Sequence, residues 1–194
     1  MLKLLLDSSS TNLSVGIAFD NRIIHQVSTY AWQRQSELMV PEIVASIKQA
    51  GFSFSDVSAV HVAVGPGSYT GVRIALTIAK TIGFALKVPV IGVSSLEILR
   101  VDNHPTICMI NARSGRSYFG VYQGHKAMIA DTIRTNDEVV NYIKEHPDYL
   151  ISGQLEYLNM VGEPINIFIN LLGTNNAPIA NIHALKPVYL KENL

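Results

Sequence analysis

Residues 59–87 read AVHVAVGPGSYTGVRIALTIAKTIGFALK: an apolar run, a glycine loop and an apolar stretch with helical spacing. Val60, Val62 and Val64 are β-branched and sit beside Ala59 and Ala63, which spells a short strand buried on both faces. Gly65, Gly67 and Gly71 permit positive φ or close backbone approach, Pro66 restricts one φ, and Ser68 or Thr70 can cap the incoming helix. The glycines are spaced Gly-x-Gly-x-x-x-Gly, without the Lys-Ser/Thr of a P-loop and one residue off the dinucleotide pattern. The loop therefore reads either as a structural turn or as a helix start that contacts an anion.

On a helical wheel at about 100° per residue, Arg73, Lys80, Phe84 and Lys87 share one arc. Val72, Ile74, Ala75, Leu76, Ile78, Ala79, Ile82, Ala85 and Leu86 spread over roughly 200°. Burial on one sheet needs about half of that arc, so a second covering surface is expected, from this chain or from another protein. Ala75, Ala79 and Gly83 at fourth-residue spacing leave room for a close helix.

Working outward, residues 2–6 form an apolar strand ending at Asp7, and Leu13, Val15 and Ile17 alternate in the next. Asp20-Asn21 reads as a two-residue hairpin turn into a third strand. A helix follows, with Ser36 as its cap and Pro41 in its first turn, carrying Met39, Val40, Ile43, Val44, Ile47 and Ala50 on one face. A strand at 88–92 and a short helix from Ser94 complete a β-β-β-α-β-α-β-α order. The turn cluster Asp102-Asn103-His104-Pro105 marks a boundary between residues 1–102 and 103–194. Beyond it the pattern begins to repeat, with strands at 106–110, 117–122 and 126–134, a helix at 136–145 and a strand at YLIS; in 164–173 the apolar residues partly alternate as in a strand, but Pro164 in front and Gly173 behind favour a short helix.

Hydrophobic residues make up 48% of the 194 and charged residues 15%, the profile of a chain that builds a real core. Fifteen Lys plus Arg balance fifteen Asp plus Glu, so no global field draws the chain to nucleic acid or acidic lipid. The one cysteine, Cys108, lies in the apolar run TICMI and reads as an inert core thiol, which suits a reducing cytoplasm. The N-terminal apolar run is too brief for a signal peptide or membrane span, and a cytoplasmic location is expected.

GPGSYTGVRIALTIAKTIGFAL followed by VPVIGVSSLEIL resembles the signature region of the TsaB family, proteins of tRNA threonylcarbamoyladenosine biosynthesis within the actin-like ATPase and sugar-kinase superfamily. LLLDSSSTNLSVGIAFD, INARSGRSYFGVY and the terminal KPVYLKEN are similar to the same family. The resemblance implies an α/β fold of two RNase H-like domains with mixed sheets, each opening on an antiparallel three-strand meander, the second domain trimmed.

It also implies a non-catalytic scaffold and activator of the catalytic subunit TsaD, joined by the ATPase TsaE, with tRNA reached only through the complex. ATP and metal are then expected on the partners and no cofactor in this chain. In this family the two N-terminal helices pack on those of the partner, which puts Met39, Ile43, Ile47, Val72, Ala75, Leu76, Ala79, Ile82, Gly83 and Leu86 at the expected interface. A homodimer through the same face is expected for the chain alone.

Residues that would carry chemistry were weighed against this. Superfamily kinases place an acidic residue and a glycine-rich phosphate loop where this chain has Asp7, Ser8 and Ser9; with Gly65, Gly67 and Gly71 these make a vestigial nucleotide loop or a plain structural turn. TsaB relatives read Asp-Ala-Arg where this chain has Asn111-Ala112-Arg113, and an amide does not hold a divalent metal as a carboxylate does. TsaD carries His-x-x-x-His after an Ile-Gly-Val stretch; here Ser95 and Leu99 occupy those places, and the six histidines lie far apart. Arg113 and Arg116 beside Tyr118 suit either RNA contact or a solvated edge. The alternative function is a small ATP-dependent phosphotransferase using Asp7 and both loops; a metalloprotease lacks its ligand pair.

Overall fold

A computed structural model describes residues 1–190. The last residues of the KPVYLKEN segment, 191–193, lie outside the described residues.

The first sheet is built from β1 (Leu2–Asp7), β2 (Asn12–Phe19), β3 (Arg22–Tyr30), β4 (Val57–Ala63) and β5 (Val90–Val93) in the order β3-β2-β1-β4-β5. β1, β2 and β3 form the antiparallel meander, while β4 and β5 join in parallel. Asp20 and Asn21 both take positive φ (46° and 64°), the conformation a two-residue hairpin demands and one that Asp and Asn tolerate. Leu2, Leu4 and Leu6 face α1 (Gln35–Gln49) and α2 (Tyr69–Leu86), whereas Leu5 on the opposite face meets α4 (Ile167–Leu172). Both faces of the central strands are covered, which is why they read as unbroken apolar runs.

The second sheet takes β6 (Thr106–Arg113), β7 (Arg116–Gln123), β8 (Lys126–Thr135) and β9 (Leu150–Gly153) in the order β8-β7-β6-β9. It repeats the meander and one parallel partner, so among the described residues it has one strand fewer than the first sheet. α3 (Asn136–Glu145) covers one face through Val139, started by a capping box in which Thr135 and Glu138 bond each other's backbone N–H. This is the two-sheet, trimmed arrangement expected of the actin-like fold.

Three local readings change. α1 begins at Gln35 behind Arg34, whose side chain makes no cap bond; Arg34 O accepts from Glu37 N and Leu38 N instead, so Ser36 is inside the helix. Pro41 consequently sits in the second turn, on the exposed side, where the carbonyl it leaves unbonded faces water. The short helix after Ser94 is a single 3-10 turn, Glu97–Leu99, with Ser94 Oγ accepting from Leu96 N at 3.0 Å.

The packing does not follow the division at 102/103. Phe168 and Leu171 of α4 enter the core of the first sheet, and Gly16 makes the space, since a Cβ there would lie 2.5 Å from the Phe168 ring. Residues 179–188 then run back along β5 and α2 as a strap: Ile179 N bonds Val90 O, Val188 N bonds Val64 O, and Ile182 and Leu185 pack on the core.

Candidate functional site

The two turns singled out in the sequence meet at the mouth of a cleft between the sheets. Ser68 caps α2, accepting from Gly71 N at 3.2 Å, and Ser9 O accepts from Ser68 N at 2.7 Å. Ser8 Oγ donates to Gly71 O at 2.7 Å. A Cβ on Gly67 would sit 2.4 Å from Ser9 O, and one on Gly71 only 1.9 Å from Ser8 O, so both positions require glycine for the approach of another backbone. Gly65, at φ +102°, does the same for the strap, 2.7 Å from Val188 O. Asp7 turns its carboxylate onto Ser9 N at 2.9 Å, and burial pushes its pKa up despite that bond. Asp7, Ser8, Ser9, Gly65, Gly67 and Gly71 are thus brought together, tied by the Ser8–Gly71 and Asp7–Ser9 bonds and through Ser68 and Ser95.

Behind them lies a cleft of about 580 Å³. Ser10, Thr11 and Thr70 supply hydroxyls, Asn111 and Gln154 amides, and Trp32, Tyr69 and Tyr118 rings; among the described residues no Asp or Glu lines it. Asn111 is tied down locally, accepting from Arg113 N at 2.8 Å on its Oδ1 while its N–H bonds Gln154 at 3.2 Å. The Arg113 guanidinium stands 5.3 Å over the Trp32 ring, joining the two halves across the cleft. Ser95 bonds Gly65 N at 3.1 Å and Leu99 packs between the cores, so the two positions that carry histidine in TsaD are structural here. Among the described residues no group of three His, Cys, Asp or Glu side chains converges on a metal-sized site, and no helix is long and apolar enough to cross a membrane.

The family model described as TsaD, tRNA N6-adenosine threonylcarbamoyltransferase, matches residues 25–152, well over half of the chain. Similar chains include the tRNA threonylcarbamoyladenosine biosynthesis protein TsaB of Bacillus subtilis, 32% identical over 137 residues, which are 69% of this chain and 60% of that one. The chain belongs to the TsaB branch of this family. TsaB of Buchnera aphidicola from Schizaphis graminum is 26% identical over 132 residues, 65% of this chain and 62% of that one. The matched segments thus span about three fifths of these curated relatives' length. YeaZ from Pseudomonas aeruginosa shares the fold, with a TM-score of 0.77, 23% identity and coverage of 97% of this chain and 99% of that one.

The residues expected at a partner interface in this TsaB-branch chain are placed differently. Met39, Ile43, Ile47, Val72, Ala75, Leu76, Ala79 and Ile82 are all at most 6% exposed, enclosed by the chain's own sheet, helices and strap. A Cβ on Gly83 would meet Val90 at 2.4 Å and Ile182 at 2.9 Å, so its space belongs to β5 and the strap; Leu86 is half-buried against the same core. The wide apolar arc of α2 therefore has two covers within the chain, and the second is the strap, held by Lys80 Nζ donating to His183 O at 3.1 Å and Leu185 O at 3.0 Å.

The outer seam of the two helices remains uncovered among the described residues. Val40 and Val44 on α1 are 50% and 53% exposed. With half-buried Ile74 and Ile78 they flank α1 and α2, and Val40, Ile74, Ile78, Arg73 and Thr77 border a groove of about 430 Å³. The sequence signal was present: Val40 and Val44, like Ile74 and Ile78, are i,i+4 pairs set to one side of the core stripe.

Proposed function

We propose that this chain is a non-catalytic scaffold and activator subunit in the formation of N6-threonylcarbamoyladenosine at position 37 of tRNAs reading codons that begin with A. The catalytic TsaD subunit docks on the seam of α1 and α2, and the ATPase TsaE joins that complex. ATP and the metal sit on those partners, and the assembly works in the cytoplasm; alone, the chain pairs with a second copy through the same seam.

The apolar groove along Val40, Ile74 and Ile78 carries the reading, because exposed branched side chains on adjacent helices are stabilised by a partner that covers them. The match of a TsaD family model to this chain supports a partner with the same helix pair, so the two proteins can pack seam to seam. Asp7, the Ser8 hydroxyl and the N–H groups of Gly65, Ser68 and Gly71 bond within the chain, which weighs against the phosphotransferase alternative.

Co-elution of the chain with its cognate TsaD, and of the Val44→Asp and Ile78→Asp variants, tests this. Loss of the complex with unchanged circular dichroism is expected. A complex that survives both substitutions would move the interface elsewhere, and nucleotide turnover by the isolated chain would return the enzyme reading.

A further inference from the structure

We propose that the cleft between the two sheets binds unpaired nucleotides of an RNA strand, stacking a base on the platform formed by Trp32 and Arg113. Trp32 follows β3 in the first half and Arg113 ends β6 in the second, yet guanidinium and indole lie 5.3 Å apart across the opening. Trp32 is 36% exposed and Tyr69, on the same cleft, 60% exposed, so both rings reach solvent at its opening. Base–aromatic stacking of this kind is worth roughly ten- to hundredfold in affinity per base and tolerates any base.

Charge and volume point the same way. Among the described residues the cleft is lined by no carboxylate side chain that would repel a phosphodiester, and Arg113 provides a cation beside the platform. Its volume of about 580 Å³ accommodates a nucleotide-sized ligand.

A strand fits better than a free mononucleotide for two reasons. The backbone N–H groups of Gly65, Ser68 and Gly71, which would wrap a terminal phosphate, are already bonded to Ser95 Oγ, Ser9 O and Ser68 Oγ. The row of rings and guanidinium groups also continues out of the cleft: Arg73 lies 5.1 Å over Tyr69, and Tyr69 stacks on Tyr189 at 5.1 Å, which is more surface than one base covers. With a net charge of zero, the chain contributes little long-range attraction, so binding rests on stacking with a shallow salt dependence.

This deepens the reading above, which supplies the RNA, but its test is separate from TsaD docking. Trp32 is the chain's one tryptophan, so its fluorescence reports the platform directly. A short unstructured oligoadenylate titrated into the full chain should quench that emission, and anisotropy of a labelled oligonucleotide should give a salt slope of about −0.7 to −1.4, one or two phosphates. Trp32→Ala and Arg113→Ala should each weaken binding about tenfold with unchanged circular dichroism, and Trp32→Phe should restore most of it. Co-elution with TsaD should persist in Arg113→Ala, which separates this site from the helix seam. No quenching and no anisotropy change, unchanged affinity in Arg113→Ala, or AMP binding as tightly as the oligonucleotide would each overturn the proposal.

Discussion

Ser8 and Gly71 are locked together by a side-chain bond and a close backbone approach: Ser8 Oγ donates to Gly71 O at 2.7 Å, and Ser8 O lies 1.9 Å from where a Gly71 Cβ would be. That pair joins the end of β1 to the start of α2, and their neighbours Ser9 and Thr70 line the cleft. It explains why a glycine stands in the first turn of an 18-residue helix, where its conformational entropy is a cost of about 1 kcal/mol.

Gly71→Ala should therefore destabilise the chain by about 2–3 kcal/mol or more, because the obstructing atom is backbone and cannot rotate away. Ser68→Ala removes only the cap bond to Gly71 N and should cost about 1 kcal/mol. Urea midpoints of the two variants check the order; equal losses would mean the close approach is not what the glycine serves.

Residues of α1 and α2 that differ by their cover should separate in behaviour. Ala79→Asp places a charge in a fully enclosed position and should unfold the chain. Val44→Asp, half exposed, should shift stability by no more than about 0.5 kcal/mol while removing association with TsaD. Thermal melts beside gel filtration distinguish the two outcomes.

Asp131 lies between the halves, accepting from Ser94 Oγ at 2.5 Å and from the Tyr122 hydroxyl. Burial raises its pKa above the ordinary 3.8, and the two hydroxyl bonds oppose this without cancelling it. A raised folded pKa favours folding at pH below the unfolded value and loses that contribution as pH climbs through the folded one. Asp131→Asn should accordingly gain on the wild type as pH rises from below 3.8 toward neutrality. A stability difference that is flat with pH in paired urea titrations would contradict this.

Cys108 is fully buried and its thiol is pushed up to about 12 by loss of solvation. Native protein at mildly alkaline pH should leave a thiol reagent unreacted over hours, and denaturant should release one equivalent at once, since the thiolate is the reactive species. Rapid labelling of the native state would show that the second sheet opens readily.

The strands, both long helices and the hairpin turns were legible in the order of the residues, because period-two and period-3.6 spacing and turn chemistry are local properties. Asp20-Asn21 is read from neighbours alone, and the geometry follows. The cap of α1 was harder: Ser36 has a good capping side chain, yet Arg34 takes the position and the helix runs through Pro41 on its wet side.

The residue order by itself determined that α2 must be covered on more than one side. Only the tertiary structure decided by what: the return of residues 179–188, tied by Lys80 to two carbonyls more than a hundred positions away, encloses the flank expected to meet a partner and leaves a seam at Val40, Val44, Ile74 and Ile78 open to solvent. Apolar spacing measures how much surface a helix must lose to water, but water is excluded equally well by the same chain or by another, and that choice is made by contacts too distant in sequence for any local pattern to record.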